Sequence, residues 1–220
     1  RNLLKAYGSK VVITPTAVLA DDERSYYKVS DRLAKEIKGA YKPDQYHNPA
    51  NTEAHYKTTG PEIWKETEGK ITHFVAGMGT GGTITGVAKY LKEKNPKIKV
   101  VGVDPIGSVF SEYKKRGKFP KLMKTYKVGG VGEDFIPSTI DFRYIDEVIQ
   151  VSDRESFVMA RKLARKEGLL VGGSSGLAMQ AAIKVCGKVN RGMVVVLFPD
   201  SGKSYLSKIF NDVWMRENGY

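Results

Sequence analysis

Short runs of apolar, β-branched residues alternate along this chain with longer segments in which apolar residues recur every three or four positions. The short runs are typical of buried strands, and the longer segments are typical of amphipathic helices that cover a sheet. The predicted strands are KVVIT (10–14), ITHFVA (71–76), IKVVGV (98–103), EVIQV (147–151) and MVVVLF (193–198). The predicted helices are SDRLAKEIKG (30–39), TITGVAKYLKEK (83–94), SDRESFVMARKLARKEG (152–168) and SGLAMQAAIKVCGKV (175–189). This alternation predicts an α/β fold with a mostly parallel sheet flanked by helices.

Local signals sharpen two boundaries in this pattern. Ser152 is followed three positions later by Glu155, which is the spacing of a helix capping box, and Gly168 suits the residue that ends a helix. Residues 41–53, YKPDQYHNPANTE, contain two prolines and two asparagines. Such a composition predicts an irregular connection, and we take this segment as a candidate domain boundary.

The chain has 220 residues, with 36 Lys and Arg against 24 Asp and Glu, so its formal net charge is +12. Seven basic residues between positions 113 and 127 favour nucleic-acid binding. A glycine and a proline interrupt that segment, and basic residues elsewhere are mixed with acidic ones, which favours a solvated helix and loop. We adopt the second interpretation and predict no nucleic-acid partner, while a positive field would also attract small anionic ligands.

Several classes of protein and site are disfavoured by composition. No stretch reaches the roughly 20 apolar residues that span a bilayer, and the first residues lack a signal-peptide core. We therefore predict no membrane association and a cytoplasmic protein. Cys186 has no partner for an internal disulfide, and the three histidines share no metal-ligand spacing with it, so no metal is predicted.

A glycine-rich segment, GMGTGGTITG at 77–86, follows one predicted strand and leads directly into a predicted helix. Its backbone N–H groups would stand at the positive end of a helix dipole, which predicts an anion site. Gly77, Gly79 and Gly82 also satisfy the dinucleotide pattern G-x-G-x-x-G, and Asp104 follows 22 positions after Gly82. A nicotinamide-dependent oxidoreductase is therefore one hypothesis for this loop.

Two features favour a different phosphate. Thr80 and Thr83 flank the glycines, and hydroxyls suit the several oxygens of one terminal phosphate monoester better than a bridging pyrophosphate. Pro105 follows Asp104, so a turn is the simplest role for that carboxylate. A loop in which the glycines only allow helix and strand to pack is the structural alternative, and we disfavour it because packing alone needs fewer glycines.

Four motifs together make the chain resemble the fold type II, or β-family, enzymes that use pyridoxal 5'-phosphate (PLP). They are GTGGT (79–83), GGVGEDFIP (129–137), GGSSG (172–176) and FPDSGKSYLSK (198–208). Their order and spacing resemble the cysteine synthase and cystathionine β-synthase group over essentially the whole chain. The resemblance implies a two-domain α/β fold, a PLP phosphate held by residues 79–83 and a Ser174 hydroxyl on the pyridine nitrogen. The residues implied at the phosphate are Gly79, Thr80, Gly81, Gly82 and Thr83.

The serine of GGSSG also has a structural interpretation. Ser174 could cap the helix that follows it, and Ser175 could cap that helix equally well. A neutral hydroxyl at the pyridine nitrogen, as the resemblance implies, would leave the ring less electron-poor than a carboxylate partner would. That difference suits β-elimination, in which the leaving group departs soon after the α-proton.

The resemblance also implies a substrate site. Gln45 would contact the amino-acid carboxylate with Tyr46 beside it, although Tyr46 could equally be a packing aromatic in a turn. Gly130, Val131 and Gly132 would offer backbone groups near the second substrate. Cysteine synthases usually carry a small G-[IV]-G-A-G-F version of this loop, whereas Glu133 and Asp134 resemble the cystathionine β-synthases.

Activity and partners follow from the same resemblance. It implies β-replacement that condenses L-serine with L-homocysteine to cystathionine, or alternatively O-acetylserine with sulfide. It also implies small amino-acid substrates and a homodimer. An anion-sensing or nucleic-acid-binding module remains the non-enzymatic alternative.

One expected residue has no match here. In the group, the lysine that holds PLP lies upstream of the segment matching residue 1, and none of this chain's lysines occurs in its sequence context. We therefore assign no catalytic lysine and expect an N-terminal part to be missing. On this basis residues 1–49 would belong to a smaller, incomplete N-terminal domain and residues 50–220 to a larger phosphate-binding α/β domain.

Overall fold

The computed structural model describes residues 1–15 and 18–220, which divide into two units, Arg1–Asp44 and Gln45–Tyr220. The first unit contains helices α1 (Asn2–Ala6) and α2 (Tyr26–Glu36). Helix α2 begins after Ser25, whose hydroxyl accepts a hydrogen bond from the Lys28 N–H at 3.2 Å. This capping satisfies one of the helix's unpaired N–H groups and so defines its start.

The predicted strand at 10–14 is wrong. These residues have no regular secondary structure, and Val12 and Ile13 are 49% and 58% exposed. A strand needs a backbone partner, and the described residues of the first unit contain no other strand that could pair with it. An apolar, β-branched run alone therefore did not suffice to form a strand.

The second unit alternates strands with helices, as predicted. Its elements are α3 (Pro49–Lys57), α4 (Thr59–Glu66), β1 (His73–Gly77), α5 (Gly82–Lys94), β2 (Lys99–Pro105), α6 (Phe110–Arg116), β3 (Glu147–Val151), α7 (Asp153–Glu167), α8 (Gly173–Cys186), β4 (Val194–Val196) and α9 (Asp212–Glu217). The strands form one sheet in the order β3-β2-β1-β4, and every neighbouring pair is parallel. The predicted α/β class with a parallel sheet is confirmed.

Both faces of this sheet are buried. Phe74 belongs to a core cluster that includes residues of α5, whereas its neighbour Val75 packs with Phe157 of α7 and Leu177 of α8 on the other face. Successive side chains of a strand point to opposite faces, so the unbroken apolar strands supply both layers at once. Parallel strands also end at a common edge, and the segments that follow β1, β2 and β4 leave the sheet there.

The predicted boundaries of α7 are confirmed, whereas helices α3 and α4 were not predicted. The Ser152 hydroxyl and the Glu155 side chain cap each other's backbone N–H groups, and Gly168 ends α7 with a φ of 68°. Residues 41–53, however, are irregular only up to Asn48. The Asn48 side chain accepts from the Ala50 N–H at 3.0 Å and Pro49 opens α3, so the Asn-Pro pair marks a helix start.

Candidate functional site

The glycine loop lies where strand β1 passes into helix α5. Gly81 caps α5 with a φ of 85° and without a side-chain cap, and the first turn of α5 contains no acidic residue. In the described part of the chain, the backbone N–H groups of residues 79–83 donate to no backbone carbonyl. Unpaired N–H groups at a helix N-terminus form an anion site, so the geometry fits the predicted phosphate.

Glycines in this loop are also required by contacts within the protein. A Cβ on Gly82 would overlap the Asn51 side chain of α3, and a Cβ on Gly81 would overlap Ile140. The sequence analysis disfavoured packing as a reason for these glycines. That prediction was wrong, because α3 approaches the loop closely enough to exclude a side chain at Gly82. The glycines therefore have two roles: they leave the backbone N–H groups of the loop accessible, and they allow neighbouring segments to pack closely against it.

Residues 45–46 lie beside the glycine loop, because Asn51 and Thr139 each form hydrogen bonds with both segments. The Asn51 side-chain amide donates to the Gln45 carbonyl at 2.7 Å and to the Thr80 hydroxyl at 3.0 Å. The Thr139 hydroxyl has a single proton, which the Tyr46 carbonyl, at 3.2 Å, and the Thr80 carbonyl share as acceptors. These bonds bring the predicted substrate-binding pair next to the predicted phosphate-binding loop.

The Tyr46 ring has a packing contact of its own. Its centroid lies 5.4 Å from that of Phe135, with the planes inclined at 54°. Phe135 belongs to the GGVGEDFIP segment, so Tyr46 connects residues 45–46 to that second loop. The packing interpretation of Tyr46 thus has direct geometric support, and its contact with a substrate stays a prediction.

The second predicted loop contacts the glycine loop directly. The Gly132 N–H donates to the Met78 carbonyl at 2.6 Å, and a Cβ on Gly79 would stand 2.9 Å from the Gly130 carbonyl oxygen. Val131 is 6% exposed, whereas Gly130 is exposed. Residues 130–132 are therefore brought to the start of the glycine loop, and Gly130 presents its backbone to solvent.

Ser174 lies at the start of α8, where the sheet places it at the same edge as the glycine loop. The Gly172 N–H, which precedes α8, donates to the Asp200 carbonyl just beyond β4, and β4 is the parallel neighbour of β1. The N-cap of α8 is Gly172, with no side-chain cap, so the capping interpretation of Ser174 and Ser175 is wrong. Both serines are buried inside the first turn, and the Ser175 hydroxyl has no hydrogen-bond partner in the described residues.

Asp104 is held inside the protein. It is fully buried, and its Oδ2 accepts from the Ser111 N–H of α6 at 2.9 Å. Burial raises the pKa of this carboxyl to about 6, against hydrogen bonds from Ser108 and the α6 backbone that lower it. A buried carboxylate in this position does not reach a ribose. Asp104 therefore gives no support to the hypothesis of a nicotinamide-dependent oxidoreductase.

Three further side chains at the loop were missed from the sequence: Asn51, His55 and Thr139. His55 of α3 lies between two threonines, with Nδ1 2.9 Å from the Thr59 hydroxyl and Nε2 3.0 Å from the Thr83 hydroxyl. Burial lowers the pKa of the His55 imidazole. The four-residue spacing of Asn51 and His55 becomes a signal only once α3 is recognised as a helix.

A separate cleft of about 530 Å³ lies between α7 and α9. Five basic side chains and three apolar or aromatic ones line it, together with Asp212, which pairs with Arg161. None of the predicted site residues belongs to this lining. In the described ranges, no cluster of side chains suits a metal ion, and no helix is long and apolar enough to cross a membrane.

Comparison with protein families gives one matching family model, described as pyridoxal-phosphate dependent enzyme, over residues 1–200. The chain is 43% identical to the cystathionine beta-synthase of Saccharomyces cerevisiae over 226 residues, covering 99% of this chain and 44% of that protein. It is 42% identical to the cystathionine beta-synthase of Dictyostelium discoideum, covering all of this chain and 44% of that protein. The corresponding Mus musculus protein is 42% identical, with coverage of 100% and 39%. The chain therefore spans less than half the length of these curated relatives.

Solved structures with the same fold include two enzymes. The crystal structure of an O-acetylserine dependent cystathionine beta-synthase from Helicobacter pylori matches with a TM-score of 0.82 and 40% identity, covering 94% of this chain and 64% of that one. A hydrogen sulfide-producing enzyme from Fusobacterium nucleatum matches with a TM-score of 0.83 and 34% identity, covering 93% and 67%. These matches confirm the prediction that the chain has the fold of the fold type II PLP enzymes.

Proposed function

Because the chain belongs to the family of pyridoxal-phosphate dependent enzymes, we propose that it carries the cofactor-phosphate site of an enzyme condensing L-serine with L-homocysteine to cystathionine. The observation that carries this proposal is the contact between the glycine loop and the GGVGEDFIP loop, through the Gly132 N–H and the Met78 carbonyl. This contact supports the proposal because it joins the predicted phosphate-binding loop to the candidate thiol-substrate loop. Similarity to cystathionine beta-synthases over the whole chain supports the same reaction.

The cofactor phosphate is bound by the loop from Gly79 to Thr83. Five consecutive N–H groups without backbone acceptors in the described residues provide donors, and the hydroxyls of Thr80 and Thr83 provide two more. The dipole of α5 adds a favourable electrostatic contribution, since no carboxylate opposes it in the first turn. These groups can hold a phosphate dianion without a lysine or arginine.

The opposite end of the cofactor is bound by Ser174. Its neutral hydroxyl can share a hydrogen bond with the pyridine nitrogen without holding a proton there as a carboxylate would. When bound there, PLP would supply an acceptor for the electron pair that remains on Cα after proton removal. With the neutral Ser174 hydroxyl at the nitrogen, the ring would be a weaker electron acceptor than with a carboxylate there, which suits prompt loss of the β-substituent.

The amino-acid substrate is oriented by Gln45 and Tyr46. The Gln45 side-chain amide donates to the substrate carboxylate, and the bonds from Asn51 and Thr139 to the backbone of residues 45–46 hold this pair beside the phosphate loop. The backbone of Gly130, Val131 and Gly132 faces the second substrate. No lysine of the 220 residues is assigned the proton-transfer role.

The location of that lysine can be measured in the intact enzyme. Borohydride reduction joins PLP covalently to the lysine that holds it, and mass spectrometry of peptides then identifies the modified residue. We expect no modified lysine within residues 1–220. A PLP adduct on one of these lysines would overturn the assignment, and the lack of any adduct would overturn the PLP site.

Substrate choice is tested by steady-state kinetics with matched substrate pairs. We expect serine with homocysteine to give a higher kcat/KM than O-acetylserine with sulfide, because Glu133 and Asp134 replace the small residues usual in cysteine synthases. A large preference for O-acetylserine and sulfide would assign the alternative, cysteine synthase. Replacing Glu133 with Ala tests the loop itself, and it should reduce the use of homocysteine more than that of sulfide.

A second candidate reaction takes O-acetylserine as the first substrate and homocysteine as the second. It is favoured by one observation, the TM-score of 0.82 to the O-acetylserine dependent cystathionine beta-synthase from Helicobacter pylori. The same kinetic series includes this pair. A higher kcat/KM for this pair than for serine with homocysteine would mean that acetate, and not water, is the leaving group. The product would still be cystathionine.

Assembly and location complete the proposal. The enzyme acts on small amino-acid substrates, is a cytoplasmic homodimer, and divides into a smaller domain that includes residues 1–49 and a larger domain of residues 50–220. Analytical ultracentrifugation measures the dimer, and fractionation of cells measures the location. Limited proteolysis with cleavage near residue 49 would support the proposed boundary, whereas cleavage confined to other segments would contradict it.

A further inference from the structure

Two side chains on one face of α3 reach the two hydroxyls of the phosphate loop. The Asn51 amide nitrogen lies 3.0 Å from the Thr80 Oγ1, and the His55 Nε2 lies 3.0 Å from the Thr83 Oγ1. Residues four apart on a helix point the same way, so both contacts come from one rigid element. A Cβ on Gly82 would overlap Asn51, so the close approach depends on this glycine.

The direction of the Asn51 hydrogen bond follows from its second partner. The same amide nitrogen lies 2.7 Å from the Gln45 carbonyl oxygen, and a carbonyl can only accept. The group facing Gln45 is therefore the NH₂, which has two protons, and its other proton is donated to the Thr80 hydroxyl. Since the Thr80 oxygen accepts this bond, its own proton can be donated to another group.

At His55 the direction depends on which ring nitrogen carries the proton. Burial lowers the pKa of the imidazole, which favours the neutral ring with one donor and one acceptor. If Nε2 carries the proton, it donates to the Thr83 hydroxyl while Nδ1 accepts from Thr59. In the other tautomer the Thr83 proton is given to His55, and only lone pairs of Thr83 would face the anion.

We propose that Asn51 and His55 are positioning residues that make the Thr80 and Thr83 hydroxyls hydrogen-bond donors to the cofactor phosphate. A phosphate dianion accepts and does not donate, so its binding selects the Nε2–H tautomer of His55. Both hydroxyls are then donors to the phosphate and acceptors from α3. The inference rests on the proposed function, because it assumes that residues 79–83 hold this phosphate.

The first test measures PLP binding by the intact enzyme after removal and return of the cofactor. His55→Phe removes the donor to Thr83, and we expect the dissociation constant of PLP to rise about ten-fold, the usual effect of a lost hydrogen bond to a charged group. His55→Gln keeps an amide donor and should restore part of the affinity. Equal dissociation constants for wild type and His55→Phe would overturn the proposal.

A matched control is available in the same chain. His73 Nδ1 lies 2.9 Å from the Thr72 hydroxyl, which is also a histidine–threonine contact, but it occurs where β1 begins, at the other end of the strand. His73→Phe should leave the dissociation constant of PLP unchanged. If the dissociation constant rose as much as in His55→Phe, the loss of PLP affinity would be explained by general destabilisation of the protein. A specific contact between His55 and Thr83 would then not be needed to explain it.

A double-mutant cycle tests whether His55 acts through Thr83. If it does, the variant carrying both His55→Phe and Thr83→Val binds PLP no more weakly than Thr83→Val alone. Both substitutions then abolish the same hydrogen bond from the Thr83 hydroxyl to the phosphate. Multiplied losses would show that His55 acts independently and would overturn the proposal. The same cycle with Asn51→Leu and Thr80→Val tests the other hydroxyl.

Phosphorus NMR of the bound cofactor gives a readout that a merely structural role would not move. We expect His55→Phe and Thr83→Val to shift the phosphate resonance in the same direction, with the resonance of His73→Phe at the wild-type position. Unchanged resonances in both variants would overturn the inference alone. Wild-type enzyme without any bound phosphorus resonance would instead overturn the proposed function.

Discussion

The Asp104 carboxylate of β2 accepts a hydrogen bond from the Ser111 N–H at the start of α6, at 2.9 Å, within a fully buried environment. Burial raises the pKa of this group from its ordinary value of 3.8 to about 6. A raised carboxyl pKa means that the folded protein binds the proton more tightly than the unfolded chain. Asp104 therefore favours folding at low pH and loses this contribution as the pH rises towards 6 and above.

The first prediction concerns this pH dependence. Asp104→Asn should gain stability relative to wild type as the pH rises from 4 to 7, by at most about 3 kcal/mol, since two pKa units correspond to that energy. Urea unfolding of both proteins at several pH values measures the difference. A difference in unfolding free energy that does not vary with pH would contradict the raised pKa.

Asp141 provides a contrast of opposite sign. Its pKa is lowered, chiefly by hydrogen bonding to Arg143, so its contribution to stability is present above the unfolded-state pKa and is lost on acidification. Asp141→Asn should therefore lose stability relative to wild type as the pH rises from 3 to 6. The effect should be small, because Arg143 is largely exposed and solvent screens the pair.

The second prediction concerns the approach of α3 to the glycine loop. Gly82→Ala places a Cβ onto the Asn51 side chain, and we expect a loss of about 1–3 kcal/mol of unfolding free energy, as for other overpacked sites. PLP affinity should fall as well. Gly187→Ala is the matched control, because its Cβ would meet nothing nearer than 3.7 Å, and it should be neutral or slightly stabilising.

The third prediction separates the two serines of GGSSG. Ser174→Ala removes the hydroxyl assigned to the pyridine nitrogen, so kcat should fall about ten-fold or more and the absorbance of the bound cofactor should change. Ser175→Ala removes a buried hydroxyl that has no partner in the described residues, so the protein should be as stable as wild type or more stable, by up to about 1 kcal/mol. Equal losses of kcat in both variants would reject the assignment of Ser174.

The fourth prediction concerns Thr139, which joins residues 45–46 to the glycine loop. Thr139→Val removes its hydrogen bonds to the Tyr46 and Thr80 carbonyls, so the KM for the first amino acid and the dissociation constant of PLP should both rise about three- to ten-fold. Thr67→Val, whose hydroxyl bonds the Ile63 carbonyl at the end of α4, is the control. Comparable changes in both variants would show that Thr139 has no particular connection with the site.

Much of the fold was predictable because the relevant interactions are local. The capping box of Ser152 and Glu155 and the end of α7 at Gly168 depend on residues within a few positions of one another. The strand predicted at 10–14 failed for the opposite reason. A strand is stabilised by a partner elsewhere in the chain, and an apolar run carries no information about whether that partner is present.

The candidate site shows the same division. The sequence alone predicted the four strands of the sheet, helices α5, α7 and α8, the glycine loop at the end of β1 and the resemblance that assigns a phosphate to it. These features were accessible because periodicity and motif spacing are properties of neighbouring residues. Only the tertiary structure decided that α3 lies on this loop, with Asn51 against Thr80 and His55 against Thr83, across 29 and 28 positions of the chain. Such contacts depend on how α3 packs against α5, which is set by the shapes of both surfaces and which no local pattern records.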